Sequence, residues 1–205
     1  MEPLITLSSV VVPLLRDNVD TDAIIPAAYM RSLATDPASG LFAHWRYRPD
    51  GTADPAFVLN DPRYAGARIL LTGANFGCGS SRENAVWALQ RFGIRCVIAL
   101  GFSDIFRENC FKNGVLPIVL GREDHALLVR RATEAEACRA MVDVAARSIR
   151  TTTGESFPFA IGTRRQAMLL RGADEIAATL AMGERIREFR AQHRARRPWL
   201  YGSEA

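Results

Sequence analysis

Between Ala67 and Leu120 the chain alternates short apolar runs with helix-length segments, and glycine closes each helical segment. ARILLTG (67–73) is an apolar run ending on Gly73. RENAVWALQRFG (82–93) carries Val86, Leu89 and Phe92 at helical spacing and stops on Gly93. CVIAL (96–100) is a second apolar run, SDIFRENCFKNG (103–114) a second helix stopping on Gly114, and VLPIVL (115–120) a third run. Short unbroken apolar runs suit strands buried on both faces, and a glycine after the last periodic residue is a helix stop. Strand, helix, strand, helix, strand predicts an α/β fold with a mostly parallel central sheet.

Length and composition bound what can surround this unit. At 205 residues, 48% hydrophobic and 23% charged, the composition excludes wholesale disorder, collagen and a simple coiled coil. The length suits one domain with a modest extension, and we expect a basic helical extension over residues 183–205. No apolar run approaches the roughly 20 residues of a spanning helix. The opening MEPLITLSSVVVPLLRD lacks a basic n-region and is interrupted by Pro13, so we read no signal peptide and expect a cytoplasmic location. Cys78, Cys96, Cys110 and Cys138 never form a C-x-x-C pair. They read as reduced thiols, and local spacing offers no four-thiolate zinc site or cluster motif. The net charge of +4 is carried almost wholly by arginine, Lys112 being the only lysine. Arginine suits forked contact with carboxylate or phosphate, though a bias toward Ala and Arg is the plainer explanation.

Elsewhere VVPLL (11–15) reads as a short strand, RDNVDTD (16–22) as a loop and AIIPAAYM (23–30) as an apolar turn. From Arg31 to Asp61, prolines and glycines break every candidate element. EDHALLVRRATEAEACRAMVDVAAR (123–147) reads as helical, SIRTTTGESFPFAI (148–161) as a hairpin turning at Thr153-Gly154, and both RQAMLLRGADEIAATL (165–180) and GERIREFRAQHRARR (183–197) as helix.

The best candidate for chemistry is G-A-N-F-G-C-G-S-S-R-E (Gly73–Glu83), lying between a strand end and a helix start. A helix N-terminus presents free N–H groups and partial positive charge, glycines allow close backbone approach, and Arg82 adds a planar fork. The loop departs from G-x-G-x-x-G at Arg82 and matches neither a Walker loop nor a nucleophile elbow, so it reads as an anion site without a standard nucleotide fingerprint. Two alternatives stand beside this. Ser80 with Glu83 spells a capping box, in which the serine only caps the helix. Cys78 is a candidate thiolate near the helix dipole, but no histidine is close in sequence. Asp17, Asp20 and Asp22 offer three carboxylates in one loop; Asx-type turn contacts are favoured over a cation site, with one aspartate left as an orienting group. His44, His125 and His193 lack ligand spacing and read as surface or core residues. In the tail, Ile186, Phe189 and His193 share one side among arginines, as in a solvated helix packing one stripe on the body. No aromatic platform accompanies this charge, so nucleic acid is not the expected partner.

Several ordered motifs carry a family resemblance. V-D-T-D-A-I-I-P, L-F-A-H-W-R-Y, P-A-F-V-L-N, N-F-G-C-G-S-S-R-E-N-A-V-W-A-L and G-F-S-D-I-F-R-E-N-C-F-K-N-G-V-L-P-I together resemble the small-subunit family of 3-isopropylmalate dehydratase, the separate swivelling domain of the aconitase superfamily. The similarity runs from Leu14 to Leu120, and more weakly through RRQAMLLRGADEIAATL. The resemblance implies a three-layer β/β/α swivelling domain, one half of a hydro-lyase that isomerises 2-isopropylmalate and 3-isopropylmalate by dehydration and rehydration in leucine biosynthesis. It implies no cofactor on this chain and a [4Fe-4S] cluster, acting as Lewis acid, on a partner large subunit, without which this chain is inert. Carried over by motif, Ser80 is the base, Asp22 an active-site aspartate and Arg82 the arginine on a substrate carboxylate. Gly79 and Ser81 of the same loop, with Tyr29 and Arg31 of Y-M-R, are the further residues expected to bind the small hydroxy-dicarboxylate. Departures are Asn84, where many members have histidine, MRSLATDPASG in place of a loop containing Lys and Arg-Thr-Gly, and Arg31 itself, which suits an extra carboxylate. Citraconate/2-methylmalate, dimethylmalate and homoaconitate-type acids are therefore the alternative substrates, and a stand-alone anion- or nucleotide-binding module the alternative class.

Overall fold

One long strand joins two unlike halves of the sheet. In this computed structural model, which describes residues 1–30, 36–79, 82–134, 137–173 and 175–201, β1 (Thr6–Leu14) pairs through Val11–Leu14 in parallel with β2 (Ile69–Thr72). Its first half, Thr6–Val10, pairs antiparallel with β5 (Arg139–Asp143). The order is β4-β3-β2-β1-β5-β6-β7, with β3 (Cys96–Ala99), β4 (Leu116–Val119), β6 (Ser148–Thr151) and β7 (Ser156–Pro158). Strands β2 to β4 are parallel, as the alternation predicted, and β1 joins them in parallel, while the β5–β7 wing is antiparallel.

Burial explains the difference. Every residue of β2 and β3 is buried, as expected for strands covered on both faces, whereas β5, β6 and β7 alternate between buried and open positions. Two cores follow. One face of the parallel strands (Val12, Leu70, Val97) packs on helix α3 (Glu83–Phe92) and on Phe42 and Phe57. The other face (Val11, Ile69, Ile98) shares a core with Leu7, Val142, Ile149 and Phe157 of the wing, and with Leu128 of α5 (Arg122–Ala132) and Leu169 of α6 (Thr163–Arg171). The layers are thus sheet, sheet and helix.

The remaining helices are α1 (Thr21–Ile24), α2 (Ala43–Arg46), α4 (Asp104–Lys112), α7 (Glu175–Leu180) and α8 (Gly183–Arg196). The turn-rich stretch resolves, over its described part, into short helical turns at 37–40, 43–46 and 58–60, tied to the first core by the Phe42–Trp45–Phe57 aromatic cluster.

Two sequence expectations are corrected. The helix expected over 123–147 ends at Ala132, and Arg139–Asp143 is instead the strand next to β1. Ala, Met and Arg favour helix locally, but Ala140 and Val142 alternate into the second core and the ladder with β1 prevails. The helix expected over 165–180 breaks at Gly172, whose left-handed backbone (φ +65°) caps α6. The hairpin at Thr153-Gly154 forms as expected. There the Thr151 and Thr153 hydroxyls donate to Glu155 and hold its carboxyl down at about 2, and Arg131 of α5 donates to the same carboxylate at 2.5 Å.

Candidate active site

The parallel strands deliver three loops to their carboxyl-terminal edge, where open α/β sheets place their binding crevices. Residues 73–78, leaving β2, are laced on both sides. On the β1 side, Ala74 N–H donates to Asp17 Oδ1 (2.6 Å), Asn18 N–H to the Ala74 carbonyl (2.9 Å), Gly77 N–H to the Val19 carbonyl (2.7 Å) and Thr21 N–H to the Cys78 carbonyl (3.0 Å). On the β3 side, Phe76 N–H donates to the Gly101 carbonyl (3.0 Å), and Ser103 Oγ to the Gly77 carbonyl (2.7 Å). Asn18 and Asn75, both left-handed, share a side-chain hydrogen bond of 2.9 Å.

This lacing divides the three aspartates by role. Asp17 holds the Ala74 amide, and Asp20 caps α1 by accepting from Ala23 N–H at 2.7 Å. Both make the turn contacts that short acidic side chains favour. Asp22, more than half exposed, is ion-paired with Arg82 across 60 residues of sequence. Only Nη1 of Arg82 makes this contact, and among the described residues its other guanidinium N–H groups have no partner. An ion pair held on one nitrogen leaves donors to grip a carboxylate arriving from outside.

The glycines have steric reasons of their own. Gly77 (φ +73°) lies against the Phe106 ring, and a Cβ there would stand 2.2 Å from Cγ. Phe106 is locked edge-on to Phe76 and stacked with Phe102. Gly73 lies against Asp17 in the same way, so both glycines serve close approach of the protein to itself rather than to a ligand. Gly77→Ala is expected to cost about 2–4 kcal/mol in urea unfolding. Gly51→Ala, at φ +81° but with nothing within 4 Å, should cost only about 1 kcal/mol. Equal midpoints for the two variants would show that the Phe106 contact imposes nothing.

Helix α3 begins at Glu83 with Arg82 at its N-cap, and that side chain makes no capping hydrogen bond. The serine of the capping-box reading, Ser80, lies outside the described residues. Glu83 occupies the first helical position and accepts from Asn113 Nδ2 (2.8 Å). Asn113 Oδ1 accepts in turn from Trp87 Nε1 (3.0 Å), which ties α3 to the end of α4.

Ser80, Ser81 and Arg31 lie outside the described residues, between or beside residues that are described. Gly79 is left-handed (φ +84°), facing Asp20 at ordinary contact distance. Asp22 and Arg82 are thus brought together, with Gly79 beside Asp20. Tyr29 is not joined to them by any hydrogen bond among the described residues; it lines a separate open cleft of about 600 Å³ with His44, Tyr47 and Arg48. Sequence reasoning did not single out Ser103, Asn18 or Asn75. Ser103 was legible as a serine opening a helix; the paired asparagines carry no local signal beyond their tolerance of left-handed backbone.

The donor set does not fit a cluster on this chain. Cys96, Cys110 and Cys138 are buried core residues, and burial pushes each thiol up, away from the thiolate a metal needs. Among the described residues no group of three or more His, Cys, Asp or Glu could hold a metal ion. His125 is a core residue, its Nε2 2.7 Å from the Thr72 carbonyl oxygen.

Comparisons with known proteins agree with this architecture. The Aconitase C-terminal domain family matches residues 1–123, and the family of the C-terminal domain of the 3-isopropylmalate dehydratase small subunit matches residues 175–203. The 3-isopropylmalate dehydratase small subunit of Azorhizobium caulinodans is 46% identical over 98% of this chain and 100% of that one. The small subunit of Cupriavidus necator is 47% identical over 98% and 99%. The crystal structure of 3-isopropylmalate dehydratase from Methanocaldococcus jannaschii superposes with a TM-score of 0.61 at 27% identity, covering 90% of this chain and 99% of that one. With a β1–β2 loop pair that sets Asp22 on Arg82, and near-complete coverage by these relatives, the chain belongs to the 3-isopropylmalate dehydratase small-subunit family of the aconitase superfamily.

Proposed function

We propose that this chain is the swivelling half of a cytoplasmic hydro-lyase that interconverts 2-isopropylmalate and 3-isopropylmalate, completed by a large subunit that carries the iron–sulfur cluster. Residues 1–205 act as a single swivelling domain with a basic helical extension from residue 183. The observation that carries the reading is the Asp22–Arg82 pair, which sets a guanidinium with spare donors two residues beyond Ser80. In this reading Ser80 takes the proton from carbon. Arg82 holds a substrate carboxylate, Asp22 orients Arg82, and Gly79 and Ser81 approach the bound acid. A serine hydroxyl is a weak base, so its alkoxide form must be stabilised, and the positive field of Arg82 and of the α3 N-terminus supplies that stabilisation. Tyr29 and Arg31 would meet the part of the substrate that differs between acids. Because a desolvated, mispaired charge is heavily penalised, an arginine there discriminates strongly between an alkyl group and a carboxylate.

The test is anaerobic reconstitution with the cognate large subunit, following the unsaturated intermediate with 3-isopropylmalate and citraconate in parallel. Turnover of 3-isopropylmalate by the pair, with none by either subunit alone, is the expected result. Turnover of citraconate alone would keep the chemistry and change the substrate. No turnover with a loaded cluster would overturn the reading.

A further inference from the structure

Large apolar side chains of the C-terminal arm are exposed among the described residues. No residue of α8 is buried, so the arm does not pack a stripe on the body as its sequence suggested. Ile176, Leu180, Phe189, Trp199 and Leu200 are all more than half exposed, and Ile186 is 39% exposed. Seven of the twelve exposed large hydrophobic side chains among the described residues fall in this short arm, a concentration that marks an interaction surface. Along α8 and its N-cap, Met182, Ile186, Phe189 and His193 fall on one stripe by helical spacing, flanked by Arg185 and Arg196 on one side and by Arg190 on the other. The short turn Pro198–Leu200 folds back so that Tyr201 meets His193 (Nδ1 to Oη, 2.8 Å), with Phe189 stacked on the same imidazole. The stripe is therefore built before any partner arrives.

The charge is as uneven as the hydrophobicity. Residues 183–201 hold six arginines and two glutamates, an excess equal to the +4 of the whole chain, so the remainder is balanced. This argues against a second copy as occupant, since two arms face to face would set arginines against arginines. A nucleic acid would neutralise the arginines but leave the stripe of Ile186 and Phe189 in water. The match to the small-subunit-specific family covers residues 175–203, outside the shared aconitase domain, which ends at residue 123. A swivelling domain on a separate chain needs a non-covalent hold on its partner.

From these observations we infer that α7, α8 and the Pro198–Leu200 turn form an anchoring arm that seats the stripe Met182–Ile186–Phe189 in an apolar groove edged with carboxylates on the large subunit. The inference rests on the two-subunit reading above and adds to it where the tether lies, on elements other than those that carry Asp22 and Arg82.

The test titrates fixed, cluster-loaded large subunit with small subunit and reads both the half-saturating concentration and the plateau of turnover. I186D/F189D, on a helix with no buried residue, is expected to raise the half-saturating concentration by about 100-fold with the same plateau, as for the loss of two central anchors. The charge variant R185E/R190E tests the flanks independently. It should raise the concentration by about tenfold at low salt, with the difference from wild type shrinking as salt rises. Unchanged half-saturation in both variants would overturn the arm. So would wild-type small subunit binding phosphatidylglycerol vesicles, or eluting as a dimer, with the variants abolishing that behaviour but leaving the titration unmoved. If wild type binds the large subunit without turning over 3-isopropylmalate, and I186D/F189D weakens that binding in a direct binding assay, the arm stands and the catalytic reading falls.

Discussion

Ser80→Ala should lower kcat of the reconstituted enzyme by about 10³-fold, the usual range for a positioned general base, with little change in KM. Alanine cannot accept the proton from carbon, whereas substrate binding is assigned to Arg82 and its neighbours. The fold should survive. Helix α3 starts at Glu83 with Arg82 at its N-cap. Thermal unfolding of the isolated subunit should coincide with wild type, and Ser81→Ala should lose far less activity than Ser80→Ala. A Ser80→Ala enzyme within tenfold of wild-type kcat would move the base elsewhere.

Arg82→Ala should reduce kcat/KM by about 10²-fold or more, raising KM because charge-assisted hydrogen bonds to a carboxylate each contribute roughly 1.5–3 kcal/mol, and lowering kcat because the Ser80 alkoxide loses its positive field. Arg82→Lys keeps the charge but not the planar fork, and should recover less than a tenth of the loss. Asp22→Ala frees the guanidinium that Asp22 now orients, so its effect should be smaller than that of Arg82→Ala. In the double variant the two losses should not add, as for any pair in direct contact. Stability should hardly move, since a pair this exposed contributes at most about 1 kcal/mol. A KM within threefold of wild type for Arg82→Ala would remove it from the carboxylate, and additive losses would show that Asp22 acts independently.

The candidate residues were legible through motif, but their relation to one another was not. Asp17, Asp20 and Asp22 look equivalent in R-D-N-V-D-T-D, and only the position of the Ala74 amide, the start of α1 and the arrival of Arg82 separate their roles. The glycines of the loop suggested close approach to an anion. Gly77 instead admits the Phe106 ring, a partner 29 positions away that no local pattern names. Glu83 accepts from Asn113 across the α3–α4 contact, a partner 30 positions away that no local pattern names.

By itself the sequence determined the parallel half of the sheet, the ends of α3 and α4 and the hairpin at Gly154, because hydrophobic period, helix stops and turn chemistry act over a few residues. Only the tertiary structure decided that Arg139–Asp143 is a strand, that β1 serves two sheet halves, that Asp22 meets Arg82, and that Ile186 and Phe189 stay exposed among the described residues. Each of these depends on which surfaces come together across tens of residues, and burial free energy at those contacts outweighs the few tenths of a kcal/mol by which local propensities differ.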